Sequence, residues 1–548
     1  MRSRTPTLLD HWPAWEPDQL AFHATHQARG LYSGTQFVLR LSPEVHRLLA
    51  TVKSGIHSGA MGFEVKQAFS TFLHETVHWW QHVGSSYGLM LSLSYPTQTQ
   101  ANYGHLKRLI DQIGFKKPLR KYIELHDGPS APHTPLGLAN TILNNHFDIE
   151  TFRLLSVFPQ RADRVVSDPL FDCVGHAYHV AFANNVLLLG ESADKQFQAL
   201  QHPRLWEDGF DKLRTTKYEG FFHGSPVTLS PIGAYEIFEG QARFVQLQYL
   251  HFATAGSFQM SDAEAMGMLD GVYGYAFSTF LQAGKIDRPT SIDHPVIGLF
   301  LLVCDMAINP TAGFPGSLHH HATFIADTDP GLRFLFLCRM IDMRCRHLLR
   351  AVQKYSRAEY ETVSVELARE LLLDPPVTAL GDIARWRQMS AGINELMHAY
   401  ARFDFGNENT LPRILLAHYI AFSEDKLRRP EYFCWPGAWM AGDRVSETAV
   451  DLFDRHGALF VDKPDDDSIF PRLRDGLDPA AIKPAFETFY DAIAIYDLTR
   501  QWITAKGPFK YDFRWLAQHG SDTEIKAFAN SRFHSVYGIN PDEVELLD

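Results

Sequence analysis

The feature that most constrains this chain is the run His74-Glu75-Thr76-Val77-His78, an H-E-x-x-H pattern inside a predicted helix. Residues four apart on a helix lie one above the other, so the two imidazoles can reach a single metal ion. Glu75 points to the same side and can hold a water molecule there. The run therefore predicts a metal site on one face of this helix.

The segment from Phe63 to Val83 is predicted to form one amphipathic helix that ends before Gly84. The apolar stripe at helical spacing consists of Val65, Phe69, Phe72, Thr76, Trp79 and Val83. The opposite face carries Gln67, Thr71, His74, Glu75, His78 and Gln81. One face is thus expected to pack against the protein, while the face with the motif borders a cleft.

A catalytic zinc takes three protein ligands and leaves a fourth position for water. His82 continues the ladder of His74 and His78, but it lies about 12 Å along the helix axis from His74, at about 1.5 Å per residue. Three such side chains cannot converge on one ion with bonds of about 2 Å. His82 is therefore predicted to lie beside the site and not on the metal.

The better third ligand lies downstream, in the sequence from Ile232 to Arg243, IGAYEIFEGQAR. Ser230 and Pro231 predict the start of a helix just before it. Glu239 and Glu236 lie on one side of this helix, and Glu236, one turn earlier, is a candidate to hydrogen-bond a ligating imidazole. The alternative is that both glutamates are surface residues on an amphipathic helix.

The E-G-x-A sequence that begins at Glu239, together with H-E-x-x-H, resembles the two motifs of the gluzincins, a group of zinc metallopeptidases within the zincin superfamily. The resemblance covers these two helices, which are 239 − 78 = 161 residues apart, so it requires an insertion between them. It implies a His74, His78 and Glu239 site on a zincin-like core, with the small residues Gly240 and Ala242 allowing close helix packing.

Alternatives remain open for two roles. Glu150, on another predicted helix, is the second choice as third ligand. A developing oxyanion needs a hydrogen-bond donor, for which Tyr235, Tyr273 and Tyr275 are candidates; each is also an ordinary structural tyrosine.

The chemistry that follows is hydrolysis of a protein or peptide substrate at one zinc ion per chain. Zinc activates a water molecule, and Glu75 acts as the general base that takes its proton and passes it to the leaving nitrogen. The alternative function is a catalytically inactive, zincin-like helical scaffold that binds other proteins. The sequence does not determine the substrate or the oligomeric state.

Composition excludes other classes of function. The chain carries a net charge of −12 without a cluster of basic residues, which argues against nucleic acid and anionic membrane surfaces as partners. Its longest apolar run, Val296 to Cys304, is too short to span a bilayer. Hydrophobic residues make up 45% and aromatic residues 13%, typical of a globular protein with much buried helix.

Five scattered cysteines argue against a disulfide framework, and residues Met1 to Ala21 lack the apolar core of a signal peptide. We therefore expect a cytoplasmic protein. The fold class is predicted as mainly α within α+β: a zincin-like core, a small N-terminal sheet that includes a strand at Thr35–Leu41, and a large helical C-terminal region. The expected divisions are 1–60 (the strand-containing segment), 61–333 (the catalytic domain) and 334–548 (the helical domain).

Overall fold

The structure, a computed structural model, describes residues 28–51, 61–126, 131–472 and 477–547. It is mainly helical with little strand, which confirms that part of the predicted fold class. The predicted N-terminal segment 1–60 is described over residues 28–51. The Met1–Ala21 stretch, for which no signal peptide is predicted, lies outside the described residues.

The α-helices of the described part of the chain are α1 Pro43–Ala50, α2 Phe63–Val83, α3 Ser86–Ile113, α4 Leu119–Leu125, α5 Pro135–Val157, α6 Asp163–Val166, α7 Val174–Ala193, α8 Glu207–Thr215, α9 Ala234–Ala253, α10 Met260–Ala265, α11 Val272–Ala283 and α12 Pro295–Ile308. They continue with α13 Phe324–Thr328, α14 Pro330–Met343, α15 Arg357–Glu370, α16 Pro376–Met389, α17 Ala391–Arg402, α18 Thr410–Arg428, α19 Pro430–Cys434, α20 Pro436–Trp439, α21 Glu447–Arg455, α22 Pro479–Thr504 and α23 Asp522–Tyr537. Short 3₁₀ turns cover Pro159–Arg161, Pro203–Leu205, Arg346–Arg350, Gly442–Arg444 and Pro541–Glu543.

The strands are β1 Gly30–Ser33, β2 Val38–Leu41, β3 Lys116–Lys117, β4 Phe460–Lys463, β5 Asp466–Pro471 and β6 Glu545–Leu546. Four of them form one sheet in the order β1-β2-β4-β5. β2 runs antiparallel to β1 and parallel to β4, where Leu39 pairs with Val461. β3 and β6 pair in parallel as a separate two-stranded sheet.

The predicted strand at Thr35–Leu41 is confirmed in its later part, since β2 begins at Val38. We expected that this segment could form an edge of a sheet over the H-E-x-x-H helix. Instead β2 lies inside the sheet and β1 occupies the edge. Two strands from the far C-terminal part complete the sheet, so it is not built from the N-terminal segment alone.

The predicted helix from Phe63 to Val83 is confirmed as α2. Its back is held by the C-terminal half of the chain: the Trp79 indole N–H donates to His418 at 3.3 Å, and the Trp80 indole N–H donates to the His456 carbonyl at 2.8 Å. The polar face is buried as well, because α9 packs against it and β1 crosses it. α2 is therefore a central helix with its motif in the interior.

The main hydrophobic core is continuous across the predicted boundary at 333–334, which falls inside α14. α12 runs through this core with every residue from Val296 to Ile308 buried. A second, smaller core joins the ends of α3, α22 and α23 around Phe115, Trp502 and Phe533. Within the described ranges, no helix has the length and apolar character needed to cross a membrane.

The turn between α2 and α3 depends on a glycine. A Cβ on Gly88 would lie 1.7 Å from the carbonyl oxygen of Gln81, at the end of α2. We expect Gly88→Ala to destabilise the protein by about 1–3 kcal/mol or more, because two backbone segments would have to move apart. Gly104→Ala is the control on the same helix, since a Cβ there meets nothing within 4 Å.

Chemical denaturation of the two variants measures this effect. The control should be neutral or stabilising by about 0.5–1 kcal/mol, as glycine is a poor helix former. An unfolding midpoint for Gly88→Ala equal to that of the wild type would contradict the close contact of α2 and α3.

Candidate metal centre

The packing of α2 against α9 brings together His74, His78 and Glu239 from the two motifs. The small residue after Glu239 permits this position of α9, because a Cβ on Gly240 would lie 2.8 Å from the Ala276 Cβ on α11. Among the described residues, these three form the single group of His, Cys, Asp or Glu side chains whose ligand atoms lie close enough to hold a metal ion.

The three donor atoms form a nearly regular triangle. The His74 and His78 Nε2 atoms are 3.1 Å apart, and the Glu239 Oε2 atom lies 3.6 Å from the first and 3.5 Å from the second. Ligands of a tetrahedral zinc with bonds of about 2.0–2.1 Å are about 3.3 Å apart. The residues present therefore fit one zinc ion with three protein ligands.

The electrostatics of the group also suit a cation. Burial lowers the pKa of His74 to about 4, so this imidazole is neutral at pH 7. Burial would raise the pKa of Glu239, but His78 and His74 outweigh it and hold that pKa well below its ordinary value. Burial likewise opposes charge on His78, yet the Glu239 carboxylate raises its pKa above the ordinary value. A metal ion would take the place of the proton that the Glu239 carboxylate stabilises on His78.

Gln81 orients His78, a role that the sequence analysis did not assign. The His78 Nδ1–H donates to Gln81 Oε1 at 2.8 Å. The amide group of Gln81 is itself fixed, because its Nε2 donates to the Phe238 carbonyl at 3.0 Å and to Gln241 Oε1 at 2.8 Å. The proton on Nδ1 leaves the lone pair of His78 Nε2 directed at the site. The spacing of three residues between His78 and Gln81 was the available signal.

Glu75 lies under strand β1, against which it packs closely. A Cβ on Gly30 would lie 2.7 Å from the Glu75 Cγ, so glycine is needed where the strand crosses the helix. Burial raises the pKa of Glu75 to about 7. A backbone hydrogen bond from Tyr32 acts in the opposite direction but is the smaller effect. A carboxylate with a pKa near neutrality can both accept and return a proton.

Two other candidates on α9 make contacts outside the donor triangle. Glu236 does not contact a ligating imidazole: its Oε2 accepts the backbone N–H of Gly233 at 2.9 Å and its Oε1 accepts the Gln160 side chain at 2.7 Å. It caps the start of α9, a role that its position three residues after Gly233 favours. The Tyr235 ring packs on Phe158, with 5.0 Å between ring centroids.

The remaining candidates for the ligand role lie outside the donor triangle. His82 packs between Tyr32 and Phe238, with ring centroids 5.1 Å and 5.3 Å away, as expected from the helix rise. Glu150 accepts hydrogen bonds from Arg153 at 2.8 Å and from Gln98. It forms a buried ion pair in place of a bond to metal.

Arg243 and Tyr273 also border the site. The Arg243 guanidinium lies over the Tyr273 ring at 3.9 Å from its centroid, and that ring lies 6.1 Å from the ring of His74. Arg243 follows Glu239 by four residues, so the helix places both on one face. Tyr273, one of the three tyrosines considered from the sequence, therefore lies next to His74.

Comparison of the chain with protein families, with curated proteins and with solved structures finds no match.

The role of Glu239 is tested by metal content. We expect Glu239→Ala to lose most of the bound zinc, because two imidazoles alone leave the site without its anionic donor. Glu236→Ala is the matched control, one turn away on α9, and should retain about one zinc per chain. Elemental mass spectrometry on protein purified without a His tag measures both. Equal zinc in the two variants would place the third ligand elsewhere.

The role of Gln81 is tested by metal affinity. Gln81→Leu should raise the zinc dissociation constant by about 10–100-fold, since the ligating His78 loses its orienting partner. Competition with a chromophoric chelator measures the constant. Gln67→Leu, about 20 Å away along α2, should not change it. Unchanged affinity in Gln81→Leu would show that Gln81 does not position the ligand.

Proposed function

We propose that this protein is a zinc-dependent metallopeptidase of gluzincin type, with a zincin-like core formed by α2, α9 and the sheet that includes β1. The observation that carries the proposal is the convergence of His74, His78 and Glu239 within 3.6 Å of one another, next to Glu75. A scaffold protein has no need of three converging donors beside a carboxylate whose pKa is about 7.

The reaction supported by this arrangement is hydrolysis of a peptide bond. His74, His78 and Glu239 would hold one Zn²⁺ per chain, which when bound supplies polarisation of the scissile carbonyl and of a water molecule. Glu75 accepts a proton from water at its carboxylate oxygen and returns it to the leaving nitrogen. The N–H of Tyr32 fixes the carboxylate during both transfers.

The residues around the site exclude bulk water and position the reacting groups. His74, Glu75, His78 and Glu239 are 3–7% exposed, so proton transfer takes place where bulk water is largely displaced. Tyr273, beside His74, is the tyrosine that we assign as hydrogen-bond donor to the developing oxyanion. The proposal includes a cytoplasmic location, since the five cysteines are all free and buried.

Glu75→Gln separates an enzyme from an inactive scaffold. The variant should bind zinc as the wild type does and lose peptide hydrolysis by about 10²–10⁴-fold, the usual contribution of a positioned general base. Zinc content and mass-spectrometric detection of cleavage in a peptide library measure the two properties.

Glu64→Gln makes the same chemical change at an exposed position in the first turn of α2 and should keep full activity. Full activity in Glu75→Gln as well would refute the mechanism. Absence of cleavage by zinc-loaded wild type across the library would favour the scaffold.

A further inference from the structure

Arg243 is a cation beside the metal centre that forms no direct ion pair within the described ranges, although the Glu239 and Glu75 carboxylates lie close enough to act on its charge. Among the described residues, no Asp or Glu side chain lies within 4.0 Å of its guanidinium nitrogens. Its Nε atom is buried and has no hydrogen-bond partner in the described part of the chain. A guanidinium withdrawn from water without a carboxylate is costly, and such a group is commonly kept for a ligand.

The protein holds this guanidinium in place by neutral groups. Its Nη1 donates to the Gln246 amide oxygen, and the Gln246 Nε2 donates in turn to the Ser70 hydroxyl on α2 at 3.0 Å. The Tyr273 ring supports its face from α11. The positive charge is therefore positioned by α2, α9 and α11 without a direct ion pair to any described residue.

The guanidinium lies beside the proposed catalytic groups, on a residue that is partly exposed. The guanidinium lies close enough for its charge to act on His74, Glu75 and Glu239. Arg243 and Tyr273 are both partly exposed, whereas His74 and His78 are buried. The Arg243 and Tyr273 side of the site is therefore more open to solvent than the side formed by the two histidines.

The distance along α9 limits which part of a substrate can meet Arg243. Residues Glu239 and Arg243 are separated by about 6 Å of helix rise, at about 1.5 Å per residue. An extended peptide advances about 3.3–3.6 Å per residue. A group bound by Arg243 therefore lies about one or two residues from the peptide bond at the metal centre.

On the basis of the proposed function, we infer that Arg243 determines substrate specificity. Its guanidinium would bind a carboxylate of the peptide substrate one or two residues from the scissile bond. A guanidinium binds carboxylates through two parallel hydrogen bonds, which lysine cannot reproduce. Two sources supply this group: the α-carboxylate at the C-terminus of a short peptide, and the side chain of an acidic residue. The first would make the protein an enzyme that shortens peptides from their C-terminal end.

The experiment uses the zinc-loaded full chain and calorimetric binding of three hydroxamates, which bind zinc without being hydrolysed. Each carries a malonyl hydroxamate on the amino nitrogen of one residue: the first on phenylalanine with a free α-carboxylate, the second on phenylalanine α-carboxamide, and the third on aspartic acid α-carboxamide with a free side-chain carboxylate. The wild type should bind one of the acids about tenfold or more tightly than the neutral amide, as charge-assisted hydrogen bonds imply. Whichever acid is preferred identifies the source of the carboxylate.

Arg243→Met should bring the affinities for acids and amide to within about twofold while the amide itself binds as before, because only the charged contact is lost. Arg243→Lys keeps the charge and the fold and should retain part of the preference. Arg444→Met is the matched control: Arg444 stacks on Phe252 at 4.7 Å, near the far end of α9, and its removal should leave the preference intact.

The possible failures are distinct. Hydroxamate binding by the wild type without preference for an acid, or a preference that persists in Arg243→Met, overturns the role of Arg243 and leaves the metallopeptidase proposal standing. No hydroxamate binding and no stoichiometric zinc in the wild type overturn both.

Discussion

The packing of α2 against α9 is the constraint on which the rest of this structure depends. α2 is buried on nearly all sides, yet it carries two histidines and a glutamate on one face. Such polar groups cannot be left among apolar side chains without partners. α9 supplies them: Glu239 lies against His74 and His78, and Gln241 continues the hydrogen-bond chain through Gln81. The same contacts that satisfy buried polar groups also create a site with the dimensions of a zinc ligand set.

Distant parts of the chain hold this pair of helices in position. Trp79 and Trp80, on the back of α2, are hydrogen-bonded by residues of the C-terminal half. The edge strand β1 crosses Glu75, and its sheet is completed by strands that follow residue 459. Residues 61–333, which the sequence predicts to form a catalytic domain, thus share both a core and a sheet with the remainder of the chain. Loss of order in the C-terminal part would therefore disturb the candidate metal centre as well as the local packing.

The sequence predicted correctly those parts of the candidate site that depend on residues close together in one helix. The bounds of α2 and the shared face of His74 and His78 follow from helical periodicity. Helix rise also placed His82 outside the ligand set, and the structure puts it among aromatic rings. Glu236 was misplaced by the same reasoning, because its side chain turns back to cap α9 at Gly233. A side chain in the first turn of a helix has free backbone N–H groups close by, and these compete with any partner on another helix.

By itself, the sequence determined what lies within a few turns of one helix: the paired imidazoles, the glutamate between them and the polar face that they share. It offered Glu239 as the third donor, with Glu150 as the second choice. Only the tertiary structure brought Glu239 within 3.6 Å of both histidines, paired Glu150 with Arg153, and set Arg243 and Tyr273 beside the site. The reason is physical: helix geometry fixes contacts between residues three or four apart, whereas a contact across 161 residues depends on how whole helices pack.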